Sequence, residues 1–327
     1  MKAVSLFSGG LDSQLACQLI RKQGIEVIAV CFQTPFFGNN PSIQTSAARL
    51  GIDLQVLDIS EEYIRKILLA PRYGYGKNLN PCIDCHGFML NQAGNYMQDI
   101  GASFLITGEV LGQRPMSQNK SSLQLVEKLS GYPGLIVRPL SAKLLPPTIP
   151  EQKGWIDREQ LLDLSGRGRT RQMALAEEFG ITDYPSPAGG CLLTEPGFAR
   201  RLKTLLEYRE VPDGSDTELL KIGRHFYVAP GVLLVVGRNH SENERLKRLA
   251  KEGDVLIKMS QRPGPTGLLR QYQSIAFDMT YAAAIVARYS DAKSLPQAEA
   301  KLLDHEGQVQ SQLTVVPLPP ELTPAMV

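Results

Sequence analysis

The chain has 327 residues, with 35 basic and 33 acidic side chains and a formal charge of +2. Hydrophobic residues make up 43% and charged residues 21%, which excludes wholesale disorder and leaves enough apolar mass for two or more cores. No apolar run approaches the ~20 residues of a membrane span. MKAVSLFSGG reaches glycine too early for a signal peptide, so the expected setting is the cytoplasm, with no membrane partner. Near-zero net charge predicts no polyanion partner for the chain as a whole, so binding a nucleic acid would need local basic patches.

In chain order, KAVSLF reads as a strand that breaks at Ser8-Gly9-Gly10, and DSQLACQLIRKQG as a helix. IEVIAVCF is a second strand, SIQTSAARLG a helix and LQVLDI a third strand; NQAGNYMQDIG is a further helix and SFLITGEV a strand. Strands separated by helical stretches predict an α/β fold with a doubly wound parallel sheet, whose ligands collect at the C-terminal strand ends. Pro146, Pro147 and Pro150 mark a joint, followed by an arginine-rich helical stretch from Ile156 to Gly180, an irregular YPSPAGGCLLT and the helix FARRLKTLLEYR. After a break near Asp213, HFYVAPGVLLVVGRN alternates like a hairpin and two helices follow, so a smaller α+β C-terminal domain is expected. The expected organisation is 1–148 catalytic domain, 149–212 linker and helical extension carrying Cys191, 213–293 C-terminal domain and 294–327 Pro-containing, loosely held tail.

SGGLDS, Ser8 to Ser13, follows the first strand and opens the first helix. Glycines there turn backbone N–H groups toward an anion, and the helix N-terminus adds positive potential. Ser8 and Ser13 add hydroxyl donors. Asp12 would repel phosphate unless Mg²⁺ bridges them. As a bare tight turn capped by aspartate the segment would be ordinary in any α/β protein, but the strand–loop–helix context favours the anion site.

Five cysteines are too few and too scattered for a disulfide scaffold. Cys17 and Cys31 read as small buried hydrophobes. Cys82 and Cys85 form a C-x-x-C in NPCIDCH, and Cys191 follows in PAGGCLL, where Gly189 and Gly190 would let the loop approach closely. Structural zinc wants four ligands, and His86, adjacent to Cys85, points awkwardly for a fourth. Three thiolates suit a cubane with one open iron; a zinc site and a purely structural role stay open beside it.

The Ser8–Ser13 segment resembles the pyrophosphate-binding PP-loop of the adenine-nucleotide α-hydrolases, which cleave ATP between the α- and β-phosphates. With the three cysteines and TGEVLGQRPMSQ (Thr107 to Gln118), the chain resembles the tRNA sulfurtransferases of the 4-thiouridine synthetase group, from Lys2 to about Glu195. That resemblance implies a Rossmann-like PP-loop fold and ATP-dependent thiolation of a tRNA uridine. Ser8, Gly9, Gly10, Asp12, Ser13, Gly108 and Gln113 would hold ATP with Mg²⁺, and Asp12, Cys82, Cys85 and Cys191 would be catalytic. Members with this cysteine spacing hold a 4Fe–4S cluster, with Cys82, Cys85 and Cys191 as its ligands here. The rival within the group is a metal-free persulfide relay through two of the thiols. The sulfur donor would be sulfide or a persulfide-carrying cysteine desulfurase, and assembly is open between monomer and homodimer. The loop starts at residue 8, so the family's RNA-capturing THUMP domain is not expected ahead of it.

Gly237 to Lys293 resembles the NFACT-type RNA-binding domain. Residues 221–293 hold 12 Lys+Arg against 6 Asp+Glu, a net of +6, and Arg238, Arg245, Lys247, Arg248, Arg262 and Arg270 are candidate phosphate contacts. The bland alternative is a solvated helix face carrying i,i+4 ion pairs. Arg167, Arg169 and Arg171 form a second basic cluster. His225, His240 and His305 read as structural, and Trp155 as an anchor in the linker. Two rivals to tRNA thiolation are a PP-loop enzyme acting on a small-molecule acceptor and an RNA-binding factor whose loop only senses nucleotide.

Overall fold

The computed structural model describes residues 1–185 and 190–327. The chain divides into two compact units, Met1–Thr194 and Glu195–Val327. Among the described residues no helix is long and apolar enough to cross a membrane.

The first unit is built on five parallel strands: β1 (Lys2–Leu6), β2 (Glu26–Gln33), β3 (Leu54–Asp58), β4 (Phe104–Ile106) and β5 (Ile136–Val137). Their order is β3-β2-β1-β4-β5, so the chain reverses direction across the sheet between β1 and β4. In a parallel sheet the loops leaving the strand ends diverge there and open a crevice. Both faces are buried, so apolar side chains of β1 and β4 pack on both sides of the sheet. Ala3, Phe104 and Ile106 face Cys17 and Ile20 of α1 (Leu11–Arg21), with α2 (Ser42–Leu50) on the same side. Val4 and Leu105 face the opposite core.

Two short helical stretches follow β3: α3 (Ser60–Tyr63), running directly into a turn of π-helix at Ile64–Leu68. Next, α4 spans Cys82–Asp99, starting well before the expected NQAGNYMQDIG and placing Cys82 on its first turn rather than in a loop. Its glycine is a packing device: a Cβ on Gly87 would lie 2.6 Å from Leu129 Cβ on α5 (Lys120–Ser130). The expected arginine-rich helix from Ile156 to Gly180 is broken up. α6 (Ile149–Gln152) precedes it, and only α7 (Thr170–Glu178) and a 3₁₀ turn at Arg158–Gln160 are helical within it.

The second unit begins with α8 (Pro196–Leu206) and α9 (Gly214–Leu219). Its antiparallel sheet has the order β11-β10-β8-β9-β7-β6. The strands are β6 (Arg224–Ala229), β7 (Val232–Val236), β8 (Val255–Met259), β9 (Gly267–Gln271), β10 (Ala298–Leu303) and β11 (Val309–Val315). α11 (Met279–Arg288) packs on one face with Phe226, Leu234 and Ile257. Leu219 of α9 and Leu246 of α10 (His240–Leu249) pack on the other, against Leu233 and Leu268. Residues 298–315, expected in a loose tail, are instead two ladder strands, with Ala300 opposite Met259. Their inward residues Ala300 and Leu302 complete the core.

Candidate functional site

The SGGLDS loop leaves β1 at the crevice. Gly9 takes φ +70°, and Gly10 begins α1 with no side chain capping the helix. The first-turn N–H groups are therefore available to an anion. Ser13 Oγ donates to Gly10 O at 2.8 Å, Gly10 N donates to Ser8 Oγ at 3.4 Å, and the two hydroxyl oxygens are 3.4 Å apart. Asp12 projects from the first turn of α1, half-buried. Its Oδ2 accepts from Gln113 Nε2 at 3.1 Å, whereas Oδ1 is shielded from solvent and has no hydrogen-bond partner among the described residues. Burial pushes this carboxyl up, opposed by Gln113 and by the guanidinium charges of Arg169 and Arg114. An acidic oxygen buried without a donor suits a hard cation.

Gly108 closes the other side. A Cβ there would sit 2.6 Å from Asp12 C and Ser13 N, so only glycine lets this segment lie against the loop. The adjacent Glu109 is buried, accepting from Arg138 Nε at 3.0 Å and sharing a 2.9 Å hydrogen bond with His86 Nδ1. Burial opposes its charge, but Arg138 and His86 outweigh that and hold the carboxyl at about 2.

The three candidate cysteines come together from two distant segments. Cys85 is buried, Cys82 and Cys191 are partly exposed, and the thiols act on one another electrostatically. Asn80 Nδ2 donates to Cys82 Sγ at 3.1 Å. The Cys191 segment is pinned by Leu192 N donating to Phe36 O at 3.0 Å and by Asn78 Nδ2 donating to Thr194 O at 2.7 Å. Burial pushes the Cys191 thiol up to about 11, against hydrogen bonds from Leu193 and Thr194 N–H; burial also raises Cys85 strongly. Tyr63, at the entry to the π-turn, places its buried hydroxyl beside Cys85 without a well-formed hydrogen bond. Among the described residues no three His, Cys, Asp or Glu side chains stand at the spacing of ligands to a single metal ion. Gly189 lies outside the described residues.

Residues 1–143 match the family described as thiamine biosynthesis protein (ThiI), and residues 223–325 match the NFACT protein RNA binding domain. The segment similar to ThiI thus lies within the first unit. A tRNA-specific 2-thiouridylase MnmA from Helicobacter hepaticus is 33% identical over 116 residues, covering 33% of this chain and 34% of the relative. A probable tRNA sulfurtransferase from Thermococcus kodakarensis is 26% identical over 191 residues, covering 56% of this chain and 45% of the relative. The chain thus spans about a third to just under a half of the length of these curated relatives. A crystal structure of a 4-thiouridine synthetase–RNA complex with bound ATP aligns at 22% identity, covering 60% of this chain and 45% of that chain, with a TM-score of 0.42.

Several side chains in and around the ThiI-type domain have roles that the sequence did not reveal. Arg114 follows directly after the T-G-E-x-L-G-Q stretch, yet its proximity to Asp12 is a tertiary fact; so is that of Arg169, drawn from the basic cluster of the linker. A parallel bridge between Leu111 and Ser165 ties the two segments together. Arg171 instead pairs with Asp163 at 2.7 Å, and Arg167 is exposed. His86, weighed as a fourth metal ligand, is engaged with Glu109. Cys17 and Cys31 are buried in the core.

In the NFACT-type unit, Arg270 is not a surface contact. It is 2% exposed, bonded to Asp254 at 2.7 Å and Asp216 at 2.9 Å. Arg238 pairs with Glu242 at 2.6 Å, Arg245 with Glu218 at 3.2 Å and Lys247 with Glu244. His225 is buried and bonded to Ile222 O, and burial lowers it to about 3.

Proposed function

We propose that the chain is an ATP-dependent tRNA thiouridine synthase, which adenylates a uracil carbonyl oxygen and then replaces that oxygen with sulfur. The observation that carries the reading is Arg114. Its guanidinium lies within electrostatic reach of both Asp12 of the phosphate loop and Cys191 of the thiol group, which supports one site for phosphate and sulfur chemistry. The ThiI-type match, the RNA-binding domain match and relatives named for tRNA thiolation support it.

In the first step the uracil oxygen attacks the α-phosphorus of ATP, and the bond to the β-phosphate oxygen breaks, releasing pyrophosphate. Loop N–H groups, the Ser8 and Ser13 hydroxyls, Arg114 and Arg169 would take up the charge that develops on the departing oxygens. Asp12 Oδ1 would hold a Mg²⁺ ion, which would neutralise phosphate charge there. In the second step a sulfur electron pair bonds to the activated carbon, and AMP leaves with the original oxygen. The donor set of Cys82, Cys85 and Cys191, soft thiols beside the buried Tyr63, fits a 4Fe–4S cluster. Such a cluster, held by these three thiolates, would supply the sulfur for the second step. Cytoplasmic residence follows from a tRNA substrate.

The test is pyrophosphate release from ATP with and without unmodified tRNA. Release should depend on tRNA and fall by about 100-fold or more in Asp12→Ala with an unchanged melting temperature. Release independent of tRNA would favour a small-molecule acceptor, and an undiminished Asp12→Ala rate would remove the loop from the chemistry.

A further inference from the structure

In the C-terminal unit a cleft of about 320 Å³ opens between α10 and the loop joining β8 to β9, at the low end of ligand-sized cavities. One face of α10 supplies His240, Asn243, Glu244 and Lys247, at the i, i+3, i+4, i+7 spacing of a single helix stripe. The strand end supplies Lys258 and Met259, and the loop Arg262, Pro263 and Thr266.

The charges in this cleft do not balance. Its one acid, Glu244, is already paired with Lys247. Lys258 is partly buried beside that same Lys247, and burial first, then the like charge, lowers its pKa. Neither Lys258 nor Arg262 has an ion-pair partner among the described residues. Glu244 acts on both ammonium groups but offers one negative charge against Lys247, Lys258 and Arg262, an excess of positive charge that a bound anion would offset.

The walls are also fixed. Thr266 N donates to Asn243 Oδ1 at 3.0 Å, joining loop to helix. Asp291 N donates to Pro263 O at 3.0 Å, and a Cβ on Gly264 would lie 2.5 Å from Ser290 Cβ, so the loop is seated against the turn after α11. Pro263 is exposed and Met259 half-exposed, leaving apolar surface beside the cations for a ribose or base.

We infer that this cleft binds a backbone phosphate of single-stranded RNA, with Lys258 and Arg262 neutralising the phosphate and Pro263 and Met259 against the neighbouring nucleoside. The inference rests on the RNA-binding reading and assigns it to particular side chains. Cations with adjoining apolar surface suit an unpaired nucleotide better than an acidic peptide.

The experiment measures binding of unmodified tRNA transcript to the full-length chain by fluorescence polarisation over a range of KCl. Lys258→Ala with Arg262→Ala should weaken binding roughly tenfold or more at matched salt and reduce the slope of log K against log salt by about 2. Lys203→Ala, an exposed cation on α8 that does not line the cleft, should leave the affinity near that of the parent chain. Arg262→Ala alone, at an exposed position, gives the same readout with a slope change of about 1 if the double variant is unstable. Equal affinity and slope in variant and parent would overturn the assignment while leaving tRNA thiolation standing. Inorganic pyrophosphate binding that is lost in the variant while tRNA affinity is kept would make this a small-phosphate site and overturn it as well. A parent chain that does not bind tRNA would sink both readings.

Discussion

Replacing Glu109 with glutamine keeps the side-chain shape but removes the charge that Arg138 and His86 hold in place. The folded carboxyl lies at about 2 against an ordinary 4.5, because Arg138 and the His86 hydrogen bond outweigh the penalty of burial. That gap corresponds to about 3 kcal/mol at neutral pH. The stabilisation is complete above pH 4.5 and is lost as pH falls from there toward 2. In Glu109→Gln, the ion-pair partner left to Arg138 among the described residues is Glu127, at 3.2 Å. Losing one member of a buried ion group costs about 3–5 kcal/mol in general, which agrees with the figure from the carboxyl itself. For a unit of this size, a loss of about 3 kcal/mol lowers the melting temperature by roughly 6–12 °C. Differential scanning calorimetry at neutral pH should show that drop in one transition. The difference from the parent should narrow when both are melted below pH 4.5, where the parent begins to lose the same charge. A variant melting within about 2 °C of the parent at neutral pH, or a gap that does not close in acid, would refute the reasoning.

Gly108→Ala would drive a Cβ to 2.6 Å from backbone atoms of Asp12 and Ser13, which cannot swing aside. It should cost about 1–3 kcal/mol and abolish pyrophosphate release while leaving tRNA affinity intact; a fully active variant would show that the loop tolerates displacement. Protein purified anaerobically should carry roughly four irons per chain, and serine at any one of positions 82, 85 and 191 should strip most of the iron. Iron-free protein that still thiolates tRNA from a persulfide donor would leave the relay in place of the cluster. In iron-free protein, alkylation of Cys191 should be slow at neutral pH and accelerate as pH rises toward about 11, the position set by burial; fast labelling at neutral pH would contradict it.

What the sequence by itself determined is local: a strand followed by Ser8-Gly9-Gly10 and a helix must present backbone N–H groups at a strand end, whatever surrounds it. Alternating strands and helices likewise specified a parallel sheet, and the three cysteines stood out from Cys17 and Cys31 by their Pro, Gly and Asn flanks. The start of α4 was hidden because Gly87 lowers helix propensity, and its reason, the close approach of Leu129, lies on another helix. The alternation in AEAKLL was legible, but the prolines that follow drew the segment into a tail, and only pairing with β8 makes it a strand. Tertiary structure alone decided the charges. Arg270 counted as a surface cation until Asp216 and Asp254 enclosed it, whereas Arg114 and Arg169 converge on Asp12 from far along the chain. Backbone conformation and helix capping are settled by neighbours a few residues away. Burial and ion pairing depend on distances between segments, and those exist only once the sheets have assembled.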